Sequence, residues 1–231
     1  MNTIFKSLLI TSVLSMGALN NVEKTVELSD KSKLVYNVGE DKKLNGAFTI
    51  SSVENKLLLR GSYKEDQRSG NWYCFNPDGS VFLRYNYDLK KLVSLDTAAI
   101  KKVDVVLKTD DKDVKKNAMI PVPICSIEQY VALLGSEFER KIMAENKSAE
   151  GTVSADLIAS VDENGKATYS AVYMAGGAKA AKKLIINEKV FDIEWIPASY
   201  QGKNIASTFT VNMMADFSSD PTKRQRFMWN Y

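Results

Sequence analysis

The sequence predicts an α+β protein: an N-terminal antiparallel β-meander domain, then a small domain with two helices packed on a three-stranded antiparallel sheet. Three observations predict it. Short aliphatic, aromatic and β-branched runs separated by turn residues fill residues 22–109. Alternating apolar and polar positions mark residues 152–162 and 204–217, and helical spacing marks residues 126–146. A chain of 231 residues, 45% hydrophobic and 26% charged, can bury a core and is unlike a disordered one.

Taken in order, residues 1–21 have the composition of an export signal. Lys6 supplies the positive start, Leu8, Leu9, Ile10, Val13, Leu14 and Met16 the apolar stretch, and Ser15, Gly17 and Ala18 small residues for cleavage. Residues 7–19 fall short of the ~20 needed to cross a bilayer as a helix. A periplasmic or secreted location is expected. The meander follows from runs such as Leu34-Val35-Tyr36, Ala47-Phe48-Thr49-Ile50 and Trp72-Tyr73-Cys74-Phe75. Between them stand Gly46, Glu54-Asn55, Gly70 and Asn76-Pro77-Asp78-Gly79, the last with Pro second and Gly fourth as a type I turn prefers. Residues 100–109 add a further candidate strand.

Residues 110–125 are expected as a linker, opening with three Asp and three Lys between Asp110 and Asn117 and continuing through Pro121 and Pro123. A helix is predicted over residues 126–146, with Ile127, Tyr130, Val131, Leu134, Phe138 and Ile142 on one face. Ser126 caps its start, and Gln129 stands where it would complete a capping box. In residues 152–162 the odd positions are all apolar and the even ones polar except Ile158. Asp162-Glu163-Asn164-Gly165 turns the chain into a second strand over residues 167–174. Gly176-Gly177 then leads into an Ala/Lys-rich stretch, residues 178–190, expected as the second helix. The third strand, residues 204–217, has Ile205, Phe209, Val211, Met213 and Phe217 on one face and Thr208, Thr210, Asn212 and Asp216 on the other. Residues 126–217 thus form the second domain and residues 218–231 a tail.

Charge and missing residue types narrow the chemistry. A net charge of +3 is small for a nucleic-acid binder, and no nucleic-acid partner is expected. The absence of His removes Ser-His-Asp triads, Cys-His pairs and His-ligated zinc. Asp110-Asp111 and Asp162-Glu163 fall in turns and read as solvated charge, and no Gly-rich stretch stands as a phosphate loop. A non-catalytic protein without cofactor or metal is expected. Cys74 and Cys125 either form one disulfide or pack as two buried thiols; spacing leaves both open. The tail interleaves Lys223, Arg224 and Arg226 with Phe227, Trp229 and Tyr231. It suits either docking on an acidic lipid head group, a nucleic acid or a partner groove, or the plainer reading of a frayed tail or an added edge strand.

Two family resemblances carry the functional expectation. Gly61-Ser62-Tyr63, then Gly70-Asn71-Trp72-Tyr73-Cys74-Phe75, then Asp78-Gly79 resembles a MORN-type repeat of bacterial YwqK-like proteins, with Asn45-Gly46-Ala47-Phe48 as a degraded copy. The second covers roughly residues 127–217. Gly151-Thr152-Val153, Asp162-Glu163-Asn164-Gly165-Lys166, Trp195-Ile196-Pro197-Ala198 and Gly202-Lys203 resemble, in order and separation, the C-terminal domain of TonB in the form common in Bacteroidetes. That resemblance implies recognition by β-strand addition, with an extended peptide of an outer-membrane receptor joining the sheet. The last strand is the expected acceptor, through Thr208, Thr210 and Asn212, with Tyr63 and Trp72 as aromatic contacts on the meander; a homodimer would use the same edge. The alternative is an auxiliary or truncated TonB-type energy-transduction component. Against a force-transmitting TonB stand the absent His, only five Pro and no spanning segment.

Overall fold

A computed structural model describes residues 21–146, 150–217 and 226–229. Residues 1–20, all but the last of the segment expected as an export signal, and residues 218–225 and 230–231 of the tail lie outside the described residues. Strand makes up 53% and helix 15%, which overturns the α+β expectation: the protein is mostly β.

The first sheet is a seven-stranded antiparallel meander in which each strand pairs with the next. Its strands are β1 (Val22–Glu27), β2 (Lys33–Val38), β3 (Leu44–Ser51), β4 (Leu57–Lys64), β5 (Gln67–Phe75), β6 (Val81–Asn86) and β7 (Lys91–Leu95). Alternation decides which face is buried: Leu34, Tyr36 and Val38 of β2 turn inward, as do Phe48 and Ile50 of β3 and Trp72 and Cys74 of β5. At the Asn76–Gly79 turn, the Gly79 N–H donates to the Asn76 carbonyl at 2.9 Å with Gly79 at φ +84°, a conformation that favours glycine.

The chain then crosses to the second sheet through α1 (Thr97–Ile100), β8 (Asp104–Leu107), α2 (Lys112–Asn117) and β9 (Val122–Pro123). The stretch expected as a linker therefore contains a helix, capped by the Asp111 carboxylate, which accepts from the Asp113 and Val114 N–H groups. Next come α3 (Ile127–Glu145), β10 (Gly151–Val161), β11 (Ala167–Ala175), β12 (Ala178–Leu184), β13 (Trp195–Ile196), β14 (Ala198–Tyr200), β15 (Lys203–Ile205), β16 (Ser207–Phe217) and β17 (Arg226–Trp229). The second sheet has six strands, ordered β12-β11-β10-β16-β17, with β8 also on β16.

Two helices on three strands is thus replaced by one long helix on six. The second helix expected at residues 178–190 begins as β12. Gly176 (φ +57°) and Gly177 (φ +83°) occupy the two central positions of a tight hairpin turn that pairs Ala175 with Ala178. Once that turn forms, the helix propensity of Ala and Lys is outweighed by pairing with β11 along all seven residues of β12. The helix at 127–145 forms as its spacing predicts. The Ser126 hydroxyl accepts from the Gln129 N–H at 3.2 Å, but the Gln129 side chain makes no return bond, so the capping box is only half built.

The core is one contiguous cluster drawing on both sheets and α3. Tyr130 sits edge-on to Phe209 at 5.7 Å and Trp195 at 6.0 Å, and Phe138 to Tyr173 at 5.1 Å. Trp195 also donates its Nε1–H to the Tyr169 hydroxyl at 3.0 Å. Cys74 and Cys125 are free, fully buried thiols rather than a disulfide.

The tail strand β17 docks beside α3. A Cβ on Gly135 would stand 2.7 Å from the Phe227 ring, so the ring occupies the space a side chain would take. Helix propensity alone favours Gly135→Ala by ~1 kcal/mol. The clash is expected to reverse that sign: amide exchange at residues 226–229 should accelerate and stability fall by ~1 kcal/mol. Unchanged exchange there would show that Phe227 is not seated on the helix.

Candidate functional site

The residues expected to bind a partner fall into two environments. Thr208, Thr210 and Asn212 lie on the outward face of β16, in cross-strand rows with Ser160, Ile158 and Asp156 of β10. Asn212 Nδ2–H donates to the Asp156 carboxylate at 2.8 Å, so its amide is engaged within the sheet. The edge of β16 is not open. One side pairs with β10 over eleven residues. The other is covered by β8, from Ser207↔Leu107 to Thr210↔Asp104, and by β17, from Met213↔Trp229 to Asp216↔Arg226. The expected free terminal edge is therefore absent: both covering strands lie outside the alternating stretch that forms β16.

Trp72 is 0% exposed and Tyr63 is partly buried against it, the rings 5.3 Å apart and edge-on. They pack around Arg68, whose guanidinium lies 4.3 Å from the Trp72 ring centroid. Arg68 donates to the Tyr87 hydroxyl (2.8 Å), the Tyr63 hydroxyl (3.3 Å) and the Asp192 carbonyl (3.1 Å), and pairs with Glu194 at 3.2 Å. Asp192 and Glu194 immediately precede β13, so these aromatics join the meander to the second unit. Trp72 offers no surface to a partner.

The free edges lie elsewhere. Among the described residues β12 pairs only with β11, leaving the other side of a seven-residue strand open. Ala178, Ala180 and Ala181 keep its backbone accessible, and Lys179, Lys182 and Lys183 make it basic. Lys182 binds the Glu145 carboxylate at the end of α3, at 2.5 and 2.6 Å; Lys179 and Lys183 are exposed.

Two concavities flank α3. The larger, ≈640 Å³, runs between the helix and the stretch after β12. Two of its three lining glutamates are engaged: Glu137 accepts two bonds from Arg140 at 2.7 and 2.9 Å, and Glu188 accepts from the Ser29 N–H at 2.8 Å, while burial raises the Glu139 carboxyl. The smaller, ≈250 Å³, lies among the β1–β2, β3–β4 and β5–β6 turns, the first turn of α3 and Phe227. Here three buried side-chain atoms, on Glu128 and Gln129, are unsatisfied. Gln129 is 1% exposed and neither Nε2 nor Oε1 has a partner; Glu128 Oε2 is likewise buried and unpaired. Each such group costs ~1–3 kcal/mol relative to a satisfied one. Burial raises the Glu128 carboxyl above its usual range, and Asp78 and Asp96 push the same way. Burial also raises Asp30, more than the bonds from Ser32 lower it, with Glu188 adding repulsion.

The nucleophiles sit away from both concavities: burial pushes the Cys74 thiol up to about 12 and raises Cys125 well above its ordinary value. No group of three or more Cys, Asp and Glu among the described residues is placed to hold a metal ion. No described helix is long and apolar enough to cross a membrane. The chain matches no protein-family model, no curated protein and no solved structure. The TonB-like and MORN-like resemblances therefore rest on their motifs alone.

Proposed function

We propose that the protein is a non-catalytic binding module that captures an extended, acidic segment of a partner protein by β-strand addition at β12. The open seven-residue edge of β12 carries this reading. An added strand gains backbone hydrogen bonds along the edge and alternating side-chain contacts across its two faces. Lys on an edge discourages pairing with a second basic edge, so the same three lysines select against a homodimer through β12 and for an acidic partner. Strand addition on the second sheet is retained from the TonB-like resemblance, with its site moved from β16 to the opposite edge. The expectation of export makes an envelope extract the place to look for the partner.

The double variant Lys179→Glu/Lys183→Glu tests the site. Both side chains are exposed, so stability should change by less than ~0.5 kcal/mol. Capture of acidic partners by the full chain should fall by about tenfold or more, read by quantitative mass spectrometry. Recovery of the same partners at wild-type yield would place binding elsewhere.

A further inference from the structure

The ≈250 Å³ cavity beside the first turn of α3 presents an unexplained polar arrangement, and none of its walls comes from β12. A buried glutamine with both amide ends unpartnered, beside a glutamate with a buried oxygen lacking a donor, is uncommon in a folded protein. Gln129 could have bonded back to its own helix cap and does not. The charges converging on the site are mostly acidic: Asp30, Glu54 and Glu128 line it against one exposed cation, Lys56, and Asp78, Asp96 and Glu188 lie within electrostatic reach. An anion would be repelled. A divalent metal would lack donors, because the described residues bring no three carboxylates or thiolates together. An organic cation needs fewer contacts: one carboxylate for charge, one amide oxygen for a second N–H, and apolar surface for its carbon chain. Leu58, Ala132 and Phe227 supply that surface.

We infer that this cavity is a binding site for a short aliphatic ammonium group, held by Glu128 and Gln129 with its carbon stem against Leu58 and Phe227. The ammonium donates to Glu128 Oε2 and to Gln129 Oε1, satisfying both acceptors, and Lys56 remains at the exposed rim. The group is supplied by a free small amine or by a lysine side chain of a partner. The site stands independently of strand addition at β12.

Calorimetric titration of the full chain with n-butylammonium and with N-acetyl-lysine amide tests the inference, with n-butanol and butyrate as matched neutral and anionic probes. Saturable binding of an ammonium probe, and no binding of the alcohol or the acid, is expected. Tighter binding of n-butylammonium identifies a free amine as the ligand, and tighter binding of the lysine amide a partner's side chain; either supports the site. Glu128→Gln should weaken ammonium binding by about tenfold or more, the loss of one charged contact. Gln129→Leu should weaken it too while raising the melting temperature, because it replaces an unpartnered buried amide with an apolar side chain of similar length. Equal binding of butanol, ammonium binding unaffected by Glu128→Gln, or no ammonium binding with a lowered melting temperature in Gln129→Leu would each overturn the inference. The last would show a structural amide satisfied by water only.

Discussion

Gly61→Ala should lower the stability of the protein by ~3 kcal/mol, a fall of roughly 6–12 °C in melting temperature for a chain of this size. Gly61 lies in β4, beneath the indole of Trp72 from the neighbouring strand β5. A Cβ built there would stand 2.2 Å from the ring, far inside van der Waals contact. The ring cannot move aside. Phe48, Tyr63 and Tyr87 hold it at 5.2–5.5 Å centroid separations among themselves and the indole, Arg68 stands over it, and its Nε1–H donates to the Ser62 carbonyl at 3.2 Å. Trp72→Ala alone should cost ~4 kcal/mol through the cavity it leaves. The two changes should be strongly non-additive: with the indole gone, adding a methyl at Gly61 should cost close to nothing. Urea titration of the four proteins reads the coupling directly. Additive losses would mean that Gly61 is needed for its backbone conformation and not for the ring above it.

Arg68→Leu should cost ~3 kcal/mol, at the low end for breaking a buried ion pair because Glu194 is 49% exposed. The loss would fall where the two units meet. Arg68 ties Tyr63 and Tyr87 of the meander to Asp192 and Glu194, and Tyr87 also donates to Glu194 at 2.8 Å. Arg68→Lys should recover little, since an ammonium cannot stack flat on the indole while donating in three directions. In Arg68→Leu, amide exchange should quicken around residues 192–194 as well as at Arg68. Wild-type stability in Arg68→Lys would show that charge alone suffices, and that the planar fork is not what joins the units.

The parts of this fold legible in the sequence are those fixed by local chemistry. The strand runs between residues 22 and 95 and the turn at Asn76–Gly79 announce a meander, because alternation and turn residues act over a few positions. The helix after Ser126 is legible for the same reason. The glycine and aromatic spacing around Gly61 and Trp72 marks a real packing pair, although its outcome is a buried joint and not a contact surface. What escaped was decided by distant partners. Asp104–Leu107 is a four-residue strand whose place beside Thr210 depends on pairing across about a hundred residues. Arg226–Trp229 follows a break after β16; an added edge strand is among the readings its composition allows, but which strand it would cover is not written locally. Residues 178–184 did carry a usable signal: Gly176-Gly177 between two short runs is a hairpin turn, and it outranks the helical preference of Ala and Lys. Gln129 is legible as the second half of a capping box, a bond that its buried side chain leaves unmade.

The decisive measurement is amide hydrogen exchange on the full chain, alone and loaded with the partner captured from an envelope extract. An interior β16 and an open β12 predict slow exchange over residues 207–217 in the free protein, and new protection on loading confined to residues 178–184 and their neighbours. Rapid exchange over residues 207–217 that is suppressed by the partner, with residues 178–184 unchanged, would return the binding edge to the last long strand and contradict the account.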